Sequence, residues 1–443
     1  VTRVLVLGAG VSGLAAAGLA RSRDMSVTIY TEDRPEAALE HGLPVAGGGW
    51  DPVLLNGIDL VVASPGFPER SLPIVEALEW GIPVWSEIEF AWRHLDIPVA
   101  AVTGTNGKTT VTEATAAMLE ASGIDAPATG NIGSPLSEHV DLGHDAVVVE
   151  VSSFQLRFCE GFHPVAAAIT NVAIDHLDWH GSEHSYRSAK GRIFMNQTPE
   201  DLLVYDADDE GAASLVVAAR SELFPVSGRH LPPGGGGVEG DHLVVGELDI
   251  SIGDLFSDDP THLVDIAAAS ALALRMGATA EGVIRAAKEY APGAHRRSLV
   301  GRWGGVTWID DSKATNPHAA LASIRAARSG GRPPDPRPGP VILIAGGLAK
   351  GTDVTPLARE GNVRHLIGIG EAGPALASAA GDRGHDAGTL QQAVPLAADL
   401  AEPGDTVLLA PGCASFDQFV SYEERGDTFA ALVEEIMKEA RSG

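Results

Sequence analysis

Cysteine is nearly absent. Cys159 and Cys413 are the only two, far apart and outside any metal-ligand spacing. That excludes a disulfide framework and a cysteine zinc site, and it fits a reducing compartment. Basic residues are scarce: Lys and Arg number 31 against 59 Asp and Glu, a formal charge of −28. Non-specific nucleic-acid binding depends on neutralising phosphates, so no nucleic-acid partner is expected. An anionic membrane surface would repel the chain, and no apolar run reaches the ~18 residues of a membrane-spanning helix. Residues 4–20, after Arg3, imitate a secretion leader, but Gly8, Gly10 and Gly13 interrupt them in a pattern with its own explanation. These exclusions leave a cytoplasmic chain, expected to be a monomer. Its few basic residues must gather wherever an anion binds.

Hydrophobic residues make up 44% of the chain, and at ~150 residues per domain its 443 residues suggest about three domains. No repeat of solenoid period is visible. Apolar runs at 4–7, 27–30 and 60–63 alternate with helical text, the pattern of βαβ units on a parallel sheet. Residues 87–94 read as a connecting helix. A second unit opens at 99–102, with runs at 146–151 and 166–170, β-like text at 243–245 and a helix over 263–276. Pro232, Pro233 and residues 234–237, all glycine, read as a surface loop. A third unit begins near Arg297, with strands at 306–309, 341–345, 366–369 and 406–410 and an exposed Pro-rich loop at 329–340.

Five segments carry chemistry. Residues 8–13 (GAGVSG) follow a strand and open a helix, where glycines and free N–H groups admit a diphosphate. A dinucleotide enzyme would place an acid after the next strand. Thr31, Glu32 and Asp33 leave that test open, and a tight turn without ligand is the competing explanation. Residues 103–110 (TGTNGKTT) form a phosphate-cradling loop: Gly104, Thr105, Asn106, Gly107, Lys108, Thr109 and Thr110 are the ATP contacts, with Lys108 on the phosphates and Thr109 on Mg²⁺. The first glycine of the general pattern would fall at Val102 and is missing. Glu150 ends an apolar strand, the natural place for a further Mg²⁺ ligand. Asp175, His176, Asp178 and His180 stand close together, either a metal cluster or a capped turn. Residues 310–316 (DDSKATN) and 410–419 (APGCASFDQF) each follow a strand, where open α/β sheets bind ligands.

Together with VASPGF, GNIG (130–133), EVSSFQL, NVAIDHLDWH, SAKGRIF and AHRRS, these segments resemble the Mur ligase family of ATP-dependent peptide synthetases over essentially the whole chain. SSFQL, DSKATN and CASFDQF resemble its D-glutamate-adding branch. The resemblance implies an α/β fold in three domains. They are a Rossmann-like N-terminal domain for a UDP substrate (1–92), a central P-loop domain (93–296) and a Rossmann-like C-terminal amino-acid domain (297–443). It implies ATP, two Mg²⁺ ions, UDP-N-acetylmuramoyl-L-alanine and D-glutamate, joined through an acyl phosphate. Glu150 and His176 would each hold a Mg²⁺, Lys190 would be carbamylated and ligate metal, and Asn131 would touch the acyl-phosphate site and the substrate. Arg296, Asp311 and Asp265 would complete the ATP site, which implies closure of the third domain on the second. Gly10, Val11, Ser12, Ser64, Gly66, Asn131 and Gln155 would hold the UDP substrate. Lys313, Thr315, Lys350, Ser415 and Phe416 would form the D-glutamate pocket.

This chain departs from the family at three places. The uracil contact is Thr31 or Glu32, Asp265 stands where the family has Asn, and the 329–340 loop is long. A nicotinamide oxidoreductase would explain GAGVSG and leave GTNGKTT and DSKATN unexplained. A sister ligase for another amino acid differs only at the pocket residues. A non-catalytic nucleotide sensor would not need Lys108, Glu150, His176 and Lys190 together.

Overall fold

A computed structural model describes residues 1–32, 39, 42–173, 175–329 and 340–442. Most of the Pro-rich loop, and Asp33, lie outside the described residues. The chain forms two compact units, Val1–Tyr290 and Ala291–Gly443.

The first unit carries two sheets. One holds β1 (Arg3–Leu7), β2 (Ser26–Tyr30), β3 (Val45–Ala46), β4 (Leu60–Ala63) and β5 (Val84–Ser86) in the order β3-β2-β1-β4-β5, all parallel. That is the doubly wound order, with its crevice at the carboxyl ends of β1 and β4. The other sheet holds β6 (Val99–Thr103), β7 (Ala128–Gly130), β8 (Val147–Glu150), β9 (Ala166–Ile169), β10 (Leu202–Asp206) and β11 (Glu222–Ser227). It continues with β12 (Gly236–Glu239), β13 (His242–Val245) and β14 (Leu248–Ser251), and its order is β14-β13-β12-β11-β10-β9-β6-β8-β7. It is parallel except for the terminal hairpins of β12, β13 and β14.

The period of two along β6 decides what each face meets. Val99 and Ala101 join a core shared with Val4, Val6, Ile29 and Val62 of the first sheet. Ala100 and Val102 face the helices Lys108–Glu120, Pro260–Arg275 and Ala280–Glu289 through Val111, Ile266 and Val283. The two sheets, expected as separate domains, therefore share one core. The connecting helix, Glu87–Trp92, is buried at that joint. Its Glu89, 0% exposed, accepts hydrogen bonds from the backbone N–H groups of Glu160, Gly161 and Phe162 and from Arg93. A carboxylate so satisfied can stay buried.

The glycine stretch is a correction. Gly236 and Gly237 are strand residues, not loop, paired with Val226 and Ser227 on one side and Val245 and Val244 on the other. A Cβ on Gly237 would stand 2.1 Å from the His230 carbonyl oxygen, so glycine here permits a close backbone approach rather than flexibility.

The second unit holds β15 (Ser298–Trp303), β16 (Val306–Asp310), β17 (Val341–Gly346), β18 (Val363–Ile369), β19 (Gly384–Gly388) and β20 (Thr406–Leu409), in the order β15-β16-β20-β17-β18-β19. Only β15 is antiparallel to its neighbour. Val341, Leu343 and Ala345 of β17 pack on one side with Ile324 and Leu376, while Ile342 and Ile344 pack on the other with Val394 and Phe429. β20 comes last in sequence yet lies between β16 and β17, so the loops after these three strands converge. Among the described residues no helix is long and apolar enough to cross a membrane.

Candidate active site

The phosphate loop joins β6 to the helix Lys108–Glu120, whose first turn carries Thr109 and Thr110 and presents the positive end of the helix dipole. Gly104 has φ +156°, and a Cβ there would lie 1.9 Å from the Thr170 hydroxyl. Only glycine fits, so Gly104 takes the structural part of the glycine missing at Val102. The segment after β9 anchors the loop. Asn106 N–H donates to Asn171 Oδ1 at 2.8 Å, and Thr105 Oγ1 receives Ala173 N–H at 3.0 Å and shares a hydrogen bond with the Tyr186 hydroxyl at 2.9 Å. Lys108 Nζ donates to the carbonyl oxygens of Gly104 (3.0 Å) and Thr105 (2.9 Å). Asp265, on the helix Pro260–Arg275, abuts Gly107: a Cβ on that glycine would meet Asp265 Oδ1 at 2.7 Å.

Beside this loop lie Glu150, Asn131 and Lys190. Register puts Glu150 opposite Val102, one residue short of the loop. Glu150 is buried, and its Oε1 accepts from Asn131 Nδ2 at 2.8 Å. Its Oε2 is buried with no hydrogen-bond partner. Lys190, on the helix Glu183–Gly191, is 2% exposed and donates through Nζ to the Gly104 carbonyl oxygen at 2.6 Å, the same oxygen that Lys108 uses. Burial first, and Lys108 second, hold the Lys190 amine well below the ordinary lysine range, against the pull of Asp175 and Glu150. An orphaned buried carboxylate oxygen beside a phosphate loop is a donor that a divalent cation would complete, so the residues fit Mg²⁺ there.

Among the described residues, the 175–180 run does not gather into a metal cage. His176 caps the helix Leu177–His180 with φ +53°, its N–H on Asp175 Oδ1 at 2.8 Å and its ring 4.8 Å from Phe154. His180 turns away and is buried, its Nε2 2.9 Å from Ser153 Oγ; burial pushes it down to about 4, so it is neutral. The side chain of Asp178 lies outside the described residues. Among the described residues no three His, Cys, Asp or Glu side chains are grouped to hold a metal.

At the first sheet, Gly10, Val11 and Ser12 stand at the start of the helix Val11–Ser22, with Val11 68% exposed. A Cβ on Gly13 would lie 2.1 Å from the Gly8 carbonyl oxygen, so strand and helix meet at backbone distance. Ser64, after β4, points a buried hydroxyl without a partner toward this turn, and Gly66 leaves open space beside it. Gln155 is occupied otherwise. Its Oε1 accepts from Ser152 N–H (2.9 Å) and Ser152 Oγ (2.8 Å), closing a capping box. Thr31 is buried, while Glu32 accepts the Tyr30 hydroxyl at 2.6 Å.

In the second unit the loops after β16, β17 and β20 bring together Lys313, Thr315, Lys350, Ser415 and Phe416 at one end of the sheet. Lys313 Nζ donates to the Tyr422 hydroxyl at 2.7 Å, and Lys350 (φ +49°) holds its Nζ 5.3 Å from the Phe416 ring. Ser415 is buried and Phe416 is 64% exposed. Asp311 accepts from Arg297 N–H at 3.2 Å, and burial pushes its carboxyl up to about 6. Arg296 lies between His295 (φ +62°) and Arg297 (φ +51°), two residues in the left-handed region, and His295 Nδ1 is 2.6 Å from Asp310 Oδ2.

Tyr186, Tyr422 and Arg425 are site residues that sequence reasoning missed. Arg425, 1% exposed, donates to Ser312 Oγ (2.9 Å), Ser312 O (2.9 Å) and Cys413 O (3.1 Å), tying two of the converging loops together. Nothing in the spacing of YEERGDTF marks it. Only the tertiary approach of residues 312 and 413 does.

Comparison with known proteins agrees with this geometry. Residues 2–86 match the Mur ligase MurD-like N-terminal domain, 102–226 the Mur ligase middle domain and 295–413 the Mur ligase glutamate ligase domain. The UDP-N-acetylmuramoylalanine--D-glutamate ligase of Pelotomaculum thermopropionicum is 38% identical, over 98% of this chain and 98% of that protein. The enzyme of the same name from Frankia casuarinae is 41% identical, over 97% and 93%. Among solved structures, a pseudomurein peptide ligase type C from Methanothermus fervidus superposes with TM-score 0.61 at 17% identity, covering 98% of this chain and 100% of its own. The MurF ligase of Thermotoga maritima, in complex with ADP, gives TM-score 0.61 at 16% identity, covering 94% and 96%. The chain belongs to the Mur ligase family.

Proposed function

We propose that this Mur ligase joins D-glutamate to UDP-N-acetylmuramoyl-L-alanine with cleavage of ATP to ADP and phosphate, in cytoplasmic synthesis of the peptidoglycan precursor. The names of its full-length relatives support the substrates. The orphaned Glu150 oxygen beside the phosphate loop is the observation that carries the chemistry.

The L-alanyl carboxylate attacks the γ-phosphorus of ATP. The bond to the β,γ-bridging oxygen breaks, ADP leaves, and an acyl phosphate remains. The D-glutamate amine then attacks the acyl carbon, loses a proton, and the tetrahedral intermediate expels phosphate. Both steps gather negative charge, which cations and N–H donors must stabilise. Residues 104–110 wrap the phosphates, and Lys108, released from the loop carbonyls, meets the γ-phosphoryl oxygens. Asn131 steadies Glu150 and faces the acyl phosphate. Mg²⁺, when bound through Thr109, Glu150, His176 and a carbamylated Lys190, supplies Lewis-acid charge neutralisation. An unprotonated Lys190 amine, which its burial favours, is the form that adds CO₂, its nitrogen bonding carbon as one proton is released. Gly10, Val11, Ser12, Ser64 and Gly66 cradle the UDP. Lys313, Lys350 and Ser415 with Thr315 and Phe416 receive the glutamate carboxylates, and Asp311, Arg296 and Asp265 serve the nucleoside.

The test is phosphate release from ATP and Mg²⁺ with UDP-N-acetylmuramoyl-L-alanine and a panel of D-glutamate, L-glutamate, L-alanine, L-lysine and meso-diaminopimelate. Release with D-glutamate alone is expected. Release with another amino acid keeps the ligase and overturns the pocket. No release from a folded, ATP-binding protein overturns the reaction.

A further inference from the structure

At the edge of the second sheet, away from the phosphate loop, four polar side chains form an unbroken line. Ser134 Oγ is 2.6 Å from His139 Nε2, His139 Nδ1 is 3.1 Å from His144 Nε2, and His144 Nδ1 is 2.8 Å from Asp125 Oδ2. One end of the line is held at the approach to β8 and the other at the end of β7. Asp125 O accepts the N–H groups of Asp145 and Ala146 just before that strand. Ser134 O accepts Gly130 N–H at 3.0 Å, which closes the turn 130–134, and Asn131 N–H donates to Glu150 O at 2.9 Å where β8 ends. That turn carries the Asn131 amide bonded to Glu150 Oε1.

With both rings neutral, the donor order follows from one end. Asp125, as a carboxylate, only accepts, so His144 donates from Nδ1 and accepts at Nε2. His139 must then donate from Nδ1 and accept at Nε2, and the Ser134 hydroxyl donates to it. Both rings are thereby held as Nδ1–H tautomers. Burial, and His144 after it, lower the tendency of His139 to protonate, while Glu138 and Asp125 oppose them.

We propose that Ser134, His139, His144 and Asp125 act as a positioning relay that fixes the 130–134 turn and, through Asn131, the Glu150 carboxylate. These are positioning residues, since none of them touches the Glu150 side chain. The proposal rests on the catalytic roles proposed for Glu150 and Asn131, and it predicts effects both with and without turnover.

The experiment compares wild type with Ser134→Ala, Ser134→Thr, His139→Ala and His139→Gln, with His242→Gln on the β13–β14 hairpin at the opposite edge of the sheet as control. Loss of one charge-free hydrogen bond's worth of positioning predicts that Ser134→Ala and His139→Ala lower kcat about tenfold. The KM for ATP and the melting temperature should stay near wild type, and Ser134→Thr, which keeps the hydroxyl, should restore the rate. Imidazole ¹⁵N spectra at pH 8 should show both histidines protonated at Nδ1. The Asn131 side-chain amide signal should move in Ser134→Ala and not in His242→Gln. Wild-type kcat in both alanine variants, an Nε2–H tautomer at His139, or an unmoved Asn131 amide each overturns the relay. If wild type itself lacks ligase turnover, the proposed function fails, and the tautomers and the Asn131 amide still decide the relay.

Discussion

Lys190 and Lys108 share one acceptor, the Gly104 carbonyl oxygen, and only one of them is deeply buried. Burial first, and the Lys108 charge second, lower the Lys190 amine, so it gives up its proton more readily than an ordinary lysine, and the unprotonated amine is the reactive form. Replacing Lys190 with Ala is expected to cut turnover by about 10²–10³-fold, the scale of lost electrostatic stabilisation, and to leave binding of a non-hydrolysable ATP analogue nearly unchanged. ADP release and calorimetric titration read the two quantities, and full turnover in the variant would remove Lys190 from the mechanism. Glu150→Gln keeps the acceptor for Asn131 and loses the charge. Its kcat should fall steeply, and adding Mg²⁺ should restore little.

At the scale of the element, the helix Glu87–Trp92 carries two buried acids of opposite character. Glu89 is satisfied by three backbone N–H groups and Arg93. Glu87 has one good partner, Ser137 N–H on Oε1 at 2.6 Å, while its Oε2 has none, and burial raises its carboxyl to about 7. Below the unfolded carboxyl value both states hold the proton, and Glu87 costs nothing. Between that value and about 7 the unfolded chain alone ionises, so stability falls as pH rises and levels off above. Glu87→Gln removes that loss. Denaturant unfolding should show it stabilised over wild type by roughly 3 kcal/mol at pH 8 and by under about 1 kcal/mol at pH 5; an equal gain at both values would contradict the cause. In the second unit the helix Tyr422–Ser442 contributes Arg425, which burial lowers to about 10, still charged near neutrality. Arg425→Ala strands the carbonyl oxygens of Ser312 and Cys413 and should cost on the order of 3 kcal/mol. The loops bearing Lys313 and Ser415 should loosen with it, raising the KM for the amino acid more than that for ATP.

The whole molecule consists of two compact units, each with its own cores. Unfolding by heat should therefore show two calorimetric transitions. Glu87→Gln should move only the one belonging to residues 1–290, and Arg425→Ala only the other. One transition shifted by both variants would mean that the units melt together. The expected Mg²⁺–ATP complex should raise the transition of the unit that holds the phosphate loop.

Much of this was legible in the sequence, because local signals sufficed. Short apolar runs place β1, β4, β6, β16 and β17, glycines at 104 and 107 mark the phosphate loop, and Glu150 ends its strand as the pattern requires. Composition and motif order determined the fold class and the family. Tertiary structure decided what depends on distant partners. Gly236 and Gly237 became strand because β11 and β13 supply their hydrogen bonds. Gln155 became a cap, and His180 a buried neutral ring, because Ser152 and Ser153 stand beside them. Arg425 matters because residues 312 and 413 converge, and the His139 relay exists because the ends of β7 and β8 bring 125, 134, 139 and 144 into line. Spacing along the chain encodes periodicity and backbone conformation, whereas the partner of a buried polar group is chosen only when the sheets have closed around it.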